Sequence, residues 1–339
     1  MINGIINVYK EAGFTSHDVV AKLRGILRQK KIGHTGTLDP DATGVLPVCL
    51  GKATRLCDLI GNWIKSYEAV LLLGQTTDTE DSSGQVLSTS PVQVNEEEIR
   101  RILQSFVGPY DQVPPMYSAK KQKGRRLYEL ARAGITVERP PCRVQVYEID
   151  IKDISLPRVS FTVTCSKGTY IRSLCRDAGE MAGCGGCMEK LVRTGVADFS
   201  LEESCSLDRI KELVDQNRIS EIIRPIDSLY QALPALIPTG DGIRLLMNGN
   251  PIPYRYLHYR RDDLPDHKNS SGDLPELFSK KTPDPERAQI ETDENIRGND
   301  SDTAYYRLYD PEGHFIGLYM DEPALERLKP YKLFFDLQE

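Results

Sequence analysis

No apolar run in the 339 residues approaches the roughly 20 that a membrane-spanning helix needs, which excludes a helical membrane protein and leads to the expectation of a soluble chain. The opening Met1-Ile2-Asn3-Gly4 lacks a basic segment followed by an apolar one, so a cytoplasmic location and reduced thiols are expected. Paired cysteines are scarce. Eight are scattered along the chain and only Cys184 and Cys187 form a CxxC; no second pair or nearby histidine completes a four-ligand zinc site, and buried thiols are the expectation. A surplus of positive charge is missing too, since the net charge is −6. On its face this argues against a phosphate-rich partner. The distribution reverses that impression, because the segment from His258 to Ala304 holds seven Lys/Arg against twelve Asp/Glu and leaves the rest of the chain nearly neutral. Residues 118–143 carry eight basic side chains against two acidic ones, and Lys22 to Lys31 five against none. Two such basic surfaces suit an RNA ligand, although a charge run is more often only a solvated face.

The length favours two domains. Gly4–Tyr9 reads as a buried strand, and Thr15-Ser16 as the cap of a helix with Val19, Val20, Leu23, Ile26 and Leu27 on one face. Val45–Leu50 looks like a strand whose Pro47 predicts an edge or a bend, and Ser66–Leu73 like another. Asn95 followed by three glutamates starts a helix that buries Ile99, Ile102, Leu103 and Phe106. Strict alternation of Val159, Phe161, Val163 and Cys165 marks a half-buried strand. Regular βαβ alternation is absent, so the predicted fold is α+β with a mixed, largely antiparallel sheet and flanking helices. Ala232–Pro238 reads as a connector, which places a boundary near residue 232 between a domain at 1–232 and a small β-rich one at 233–339. The second contains a helix at 241–247 and a hairpin joined by Asp310-Pro311-Glu312-Gly313. Its stretch at about 258–304, polar and poor in aromatics, is expected to be an exposed, mobile insertion.

The densest cluster of unusual residues is the run Gly33-His34-Thr35-Gly36-Thr37-Leu38-Asp39-Pro40-Asp41-Ala42-Thr43-Gly44. Glycines free the backbone and a carboxylate precedes a proline, as in a loop that holds a ligand. Asp39-Pro40-Asp41-Ala42-Thr43 also fits the DxDxT pattern of haloacid-dehalogenase-type phosphatases, whose first Asp attacks phosphate beside magnesium. Those enzymes present the Asp at the end of a hydrophobic strand, and Gly-His-Thr-Gly-Thr-Leu makes a poor one.

The same run resembles the signature of the TruB type of bacterial tRNA pseudouridine synthases. The likeness continues through Gly51-Lys52-Ala53-Thr54-Arg55, Tyr67, Leu73–Asp81, Gln112–Ala119 and Cys165–Arg172, in family order over about the first 232 residues. Two positions depart from it: Lys10-Glu11 stands where the family has Lys-Pro, and the Arg-rich stretch near 190 reads Leu191-Val192-Arg193-Thr194.

The resemblance implies isomerisation of a uridine, at position 55 in the T-loop of tRNA, to pseudouridine. The N1–C1′ bond breaks and C5 joins the sugar, so neither cofactor nor metal is expected. By resemblance Asp39 is the essential carboxylate, by attack on the sugar or by removal of a ribose proton. Arg172 is its guanidinium partner, which keeps it ionised and oriented. A looped uridine must be flipped out, and Tyr67 is its implied stacking partner and handles the C5 proton. Tyr170 and Leu191 match positions lining the uracil pocket, and His34 one that fills the gap left in the opened T-loop. Alone, each of these would pass as an ordinary core, surface or loop residue. Arg55 joins the implied RNA contacts. Residues of about 113–143 correspond to the family's thumb, a helical insertion whose Lys120, Lys121, Arg125 and Arg126 would meet phosphates while Leu127, Leu130 and Ala131 anchor it. Leu245-Leu246-Met247-Asn248-Gly249 supports a PUA-like second domain. The expected partner is the tRNA T-arm, with no membrane, no obligatory protein partner and a monomeric chain; the rival function is a non-catalytic RNA-binding protein or tRNA-folding chaperone.

Overall fold

A computed structural model describes residues 1–122, 124–260 and 304–335. The chain opens with β1 (Gly4–Lys10), α1 (Ser16–Ile26), β2 (Ile32–His34), β3 (Thr43–Leu50), α2 (Cys57–Gly61) and β4 (Lys65–Leu73). A small hairpin of β5 (Gln75–Thr77) and β6 (Val86–Thr89) precedes α3 (Glu96–Gln104) and β7 (Gly108–Gln112). Next come β8 (Lys121–Gln122), β9 (Arg125–Arg126), α4 (Leu127–Arg132), β10 (Cys142–Ser155) and β11 (Arg158–Cys165). The first sheet is completed around α5 (Ile171–Met181), β12 (Gly186–Val196), β13 (Phe199–Ser200) and α6 (Leu207–Asp215). The order across it is β1-β3-β12-β4-β11-β10-β7, with β2 on β3 and β13 on β12. Every pairing is antiparallel except β3 with β12, which run parallel where Val192 and Arg193 meet Thr43 and Gly44. The fold is α+β, as the patterning predicts.

Local chemistry explains the elements. Reciprocal capping boxes start α1, where Thr15 and Asp18 bond each other's backbone, and α3, where Asn95 and Glu98 do the same. On β4 alternate side chains Tyr67, Ala69, Leu71 and Leu73 enter a core shared with Ile99 and Leu103 of α3 and Leu174 and Ala178 of α5. Val19, Val20 and Leu23 of α1 pack with Leu207 and Ile210 of α6 on strands β1 and β3. Ile26 and Leu27 are only half-buried.

Three expectations are corrected. β3 is no edge strand, since β1 lies on one side and β12 and β2 share the other. Pro47 is tolerated because its carbonyl accepts from the amide and hydroxyl of Thr35, both at 3.2 Å, so its nitrogen faces that same side, in the gap between the β12 and β2 pairings. The connector at 232–238 is partly a strand, β14 (Ala235–Pro238), of a second sheet. That sheet has the order β15-β19-β18-β17-β14-β16, from β15 (Ile252–Pro253), β16 (Leu257–Tyr259), β17 (Tyr305–Tyr309), β18 (Phe315–Glu322) and β19 (Arg327–Leu333), with α7 (Asp241–Met247) beside it. It is the small β-rich, PUA-like domain of the expected fold class. The thumb region is less helical than expected: α4 is six residues long, preceded by the two-residue pairing of β8 with β9.

The two sheets share a core in which Val45, Trp63 and Phe199 pack with Tyr305, Leu318 and Phe334. The expected insertion at 258–304 lies almost wholly outside the described residues. Among those described, no helix is long and apolar enough to cross a membrane.

Candidate active site

The run from His34 to Gly44 links β2 to β3 and is stapled to its surroundings at several points. The Leu38 amide donates to Ser16 Oγ at 2.9 Å, tying the residue before Asp39 to the first turn of α1. Lys10 at the end of β1 is fully buried, and its ammonium donates to the carbonyls of Glu11 (3.0 Å), Pro40 (2.9 Å) and Ala42 (2.6 Å). Burial pulls its pKa down to about 8, against the pull of Asp39 and Asp41. The Ala42 amide closes a turn on the Asp39 carbonyl at 3.2 Å. Replacing Lys10 by Met leaves buried carbonyls unsatisfied and should cost about 1–3 kcal/mol, measurable in urea unfolding. An unchanged midpoint would show that the loop holds without this staple.

Asp39 points from this turn toward the N-terminus of α5. Its Oδ1 accepts from Arg172 Nη2 at 3.0 Å; the arginine side chain is 5% exposed and the aspartate 33%. Arg172 is fixed on four sides. Nη2 also donates to the Tyr117 carbonyl at 2.9 Å, Nη1 donates to the Thr79 carbonyl at 3.1 Å, and Asp81 Oδ2 stands 3.7 Å from Nη1. Burial raises the pKa of Asp39 above its ordinary value; Arg172 opposes the rise and Asp81 adds to it. The result is an oriented, partly desolvated carboxylate open to one side, suited to act as nucleophile or base.

Around it stand the other candidates. Tyr67 on β4 and Leu191 on β12 join Leu38 and Ala42 in one buried cluster. Burial pushes the Tyr67 phenol up to about 12, so it stays neutral. Tyr170 caps α5, and its amide donates to Gln112 Oε1 at 2.9 Å. Burial also raises the Tyr170 phenol. His34 meets His17 of α1 edge to face, with ring centroids 5.1 Å apart. Its pKa is pulled down to about 4, first by burial and then by His17 and Arg193, so the ring is neutral at physiological pH.

Arg193, noted in the sequence only within the stretch Leu191-Val192-Arg193-Thr194 and not as a candidate, also lies against the loop. It lies opposite Tyr67 in the β4–β12 register and is 1% exposed, and its positive charge opposes the rise that burial imposes on the Tyr67 phenol. Nε donates to the Val45 carbonyl at 2.6 Å and Nη2 to the Gly36 carbonyl at 3.3 Å, binding the glycine-rich loop to β3. Gly44, at φ +105°, has its α-carbon so close to the Arg193 backbone that a Cβ would sit 2.2 Å from that carbonyl oxygen.

Comparison with known proteins decides the family. Residues 24–171 match the TruB family pseudouridylate synthase N-terminal domain, and residues 172–231 the tRNA pseudouridylate synthase B C-terminal domain. The tRNA pseudouridine synthase B of Lachnoclostridium phytofermentans is 51% identical over 259 residues, spanning 74% of this chain and 84% of the relative. The chain belongs to the TruB family. It is therefore a pseudouridine synthase, an isomerase. The tRNA pseudouridine synthase B of Alkaliphilus oremlandii is 46% identical over 256 residues, 76% of this chain and 85% of the relative. A crystal structure of a Cbf5-Nop10-Gar1 complex contains a chain of the same fold, with TM-score 0.65, 23% identity, and coverage of 98% of this chain and 85% of that one.

The remaining candidates of this TruB-family chain make no described hydrogen bond or ion pair with Asp39. Arg55 Nη1 donates to the carbonyls of Leu333 (2.7 Å) and Phe335 (3.1 Å), so it clasps the second sheet to the first. Lys121 and Arg125 are exposed, Arg126 lies over the Tyr128 ring, and the Lys120 ammonium meets the Cys142 thiol. Cys184 and Cys187 are buried free thiols. Among the described residues, one group of His, Asp and Glu has spacing for a metal ion, Asp310, Glu312 and His314. It lies in the β17–β18 turn, where the Asp310 carboxylate is already engaged by the His314 amide and ring.

Proposed function

We propose that this TruB-family enzyme isomerises the uridine at position 55 in the T-loop of tRNA, with Asp39 as the essential carboxylate. The observation that carries the reading is the Arg172–Asp39 pair, a buried guanidinium fork on a carboxylate that keeps one open side. Arg172 opposes the upward pull of burial and so favours the ionised form of Asp39, the form that serves both attack on C1′ and abstraction of a ribose proton. The target base leaves its stack to reach this depth, and Tyr67 gives its freed face a partner while Leu191 and Tyr170 close the apolar walls. The neutral His34 ring fills the space that the extruded nucleotide vacates. Relatives named tRNA pseudouridine synthase B support tRNA as the substrate.

Isomerisation through C5 expels the C5 hydrogen, so tRNA carrying tritium at uridine C5 reports each event as released label. Release is expected from a transcript with its T-loop uridine and not from one with cytidine there. Equal release from both transcripts would place the target elsewhere.

The thumb side chains Lys120, Lys121, Arg125 and Arg126 are proposed phosphate contacts. Changing all four to Ala should weaken tRNA binding and flatten its salt dependence, each lost contact removing about 0.7–0.9 from the log–log slope. Filter binding across a salt series reads this directly, and an unaltered slope would mean that these four meet no phosphate.

A further inference from the structure

Residues 113–143 leave the central sheet after β7 and return to it at β10, and their two roots converge on one carboxylate. Glu80 sits in the turn after β5, 10% exposed, with φ +63°, a left-handed conformation that a non-glycine residue holds only when its surroundings impose it. Here β12 imposes it, as the Met188 amide donates to the Glu80 carbonyl at 3.1 Å. Glu80 Oε1 lies 2.5 Å from Arg176 Nη1 and 3.8 Å from Arg139 Nη1, while Oε2 accepts from Ser173 Oγ at 3.1 Å. These partners reach the outgoing root as well. Arg139 Nη1 donates to the Pro114 carbonyl at 2.9 Å, and Ser173 Oγ also lies 2.9 Å from the Val113 carbonyl. Val113 and Pro114 on one root, Arg139 on the other and two residues of α5 thus meet around a single buried charge. Three residues beyond Pro114, the Tyr117 carbonyl accepts from Arg172 Nη2, the same nitrogen that holds Asp39. A shift of this root therefore displaces an acceptor that orients the guanidinium.

We propose that Glu80 is a positioning residue that clamps both roots of the thumb onto α5, so that the seating of the thumb on RNA is transmitted through the Tyr117 carbonyl to the Arg172–Asp39 pair. The proposal rests on the reading of Asp39 as the carboxylate that acts on tRNA. Without the Glu80 charge, Arg176 keeps Asp177 at 2.6 Å, whereas Arg139 keeps only the Pro114 carbonyl among its described polar contacts, so the clamp opens at the returning root.

The test is Glu80→Gln, which preserves shape, alone and combined with Arg139→Gln, in the full-length protein with unmodified tRNA. Single-turnover rate at saturating enzyme should fall about 10-fold to 100-fold, the cost of misplacing a reacting group by an ångström or less. Affinity for tRNA should stay close to wild type, and trypsin should cut the Lys/Arg-rich stretch 120–132 faster while the rest of the chain stays intact. The double variant should be no slower than the single, because both break one clamp. The proposal is overturned by a Glu80→Gln variant that turns over at the wild-type rate, by rate and affinity falling together, by unchanged thumb cleavage, or by multiplying effects in the double variant. A wild-type protein inactive on T-loop uridine would instead overturn the reading of Asp39 and its substrate, which separates the two failures.

Discussion

Replacing Asp39 by Asn is expected to abolish pseudouridine formation while tRNA remains bound. The substitution keeps the size of the side chain, and the amide oxygen can still accept from Arg172 Nη2, now 3.0 Å from the carboxylate. What it removes is the negative charge, and with it both the nucleophile and the base. The proposed phosphate contacts are the thumb cations, among them exposed Lys121 and Arg125, and the substitution leaves these unchanged, so affinity should be unmoved. Binding is read by filter retention and turnover by tritium release. An Asn variant that turns over normally would remove Asp39 from the chemistry.

Arg172→Lys should lower turnover about 100-fold with little change in affinity. One ammonium cannot serve Asp39, the Tyr117 carbonyl, the Thr79 carbonyl and Asp81 together, whereas the planar fork does so from two nitrogens. The pH profile separates charge from geometry. Burial raises the Asp39 pKa above 3.8, so with Asp39 as the acting carboxylate activity should be lost as pH falls through that elevated value. Arg172 is the main influence holding the value down, so Arg172→Met should move the acid limb to higher pH while Arg172→Lys leaves it near its wild-type position. Coincident limbs for all three proteins would mean that another group controls the profile.

The contrast between Asp39 and Arg193 marks how far local pattern reaches. A carboxylate flanked by glycines, threonine and proline stands out in any sequence, because such residues serve a shaped loop. Arg172 is legible only as part of a motif; it is buried among the carbonyls of Tyr117 and Thr79 and the carboxylates of Asp39 and Asp81, partners distant in sequence. Arg193 gives no local sign, since a cation in a strand ordinarily faces water. It is buried because its donors reach the carbonyls of Val45 and Gly36, distant in sequence and adjacent only once β12 joins β3 and β4. Glu80 is hidden for the same reason, its three partners being brought together by α5 and the returning thumb root.

The sheet and its helices were legible where the signals are local, in the capping residues of α1 and α3 and the alternation on β4 and β11. They failed where tertiary pairing decides. Pro47 survives inside the sheet because two neighbours leave a gap opposite it. In the thumb, the pairing of Lys121 with Arg126 sets like charges opposite each other, against the usual preference for such pairs, and a turn at Gly124 with φ +85° makes it feasible. No helical or strand propensity distinguishes that hairpin from a solvated basic run.

The measurement that bears most directly on Asp39 is a nucleotide-resolved map of pseudouridine in an unmodified tRNA transcript. Carbodiimide adducts that stop primer extension locate each pseudouridine after incubation with wild-type protein or with Asp39→Asn, without metal or cofactor added beyond what folds the RNA. The expected result is a single stop at the T-loop uridine with wild type and none with the variant. A stop at another uridine, or a T-loop stop that persists with Asp39→Asn, contradicts the assignment of Asp39 as the carboxylate that isomerises this base.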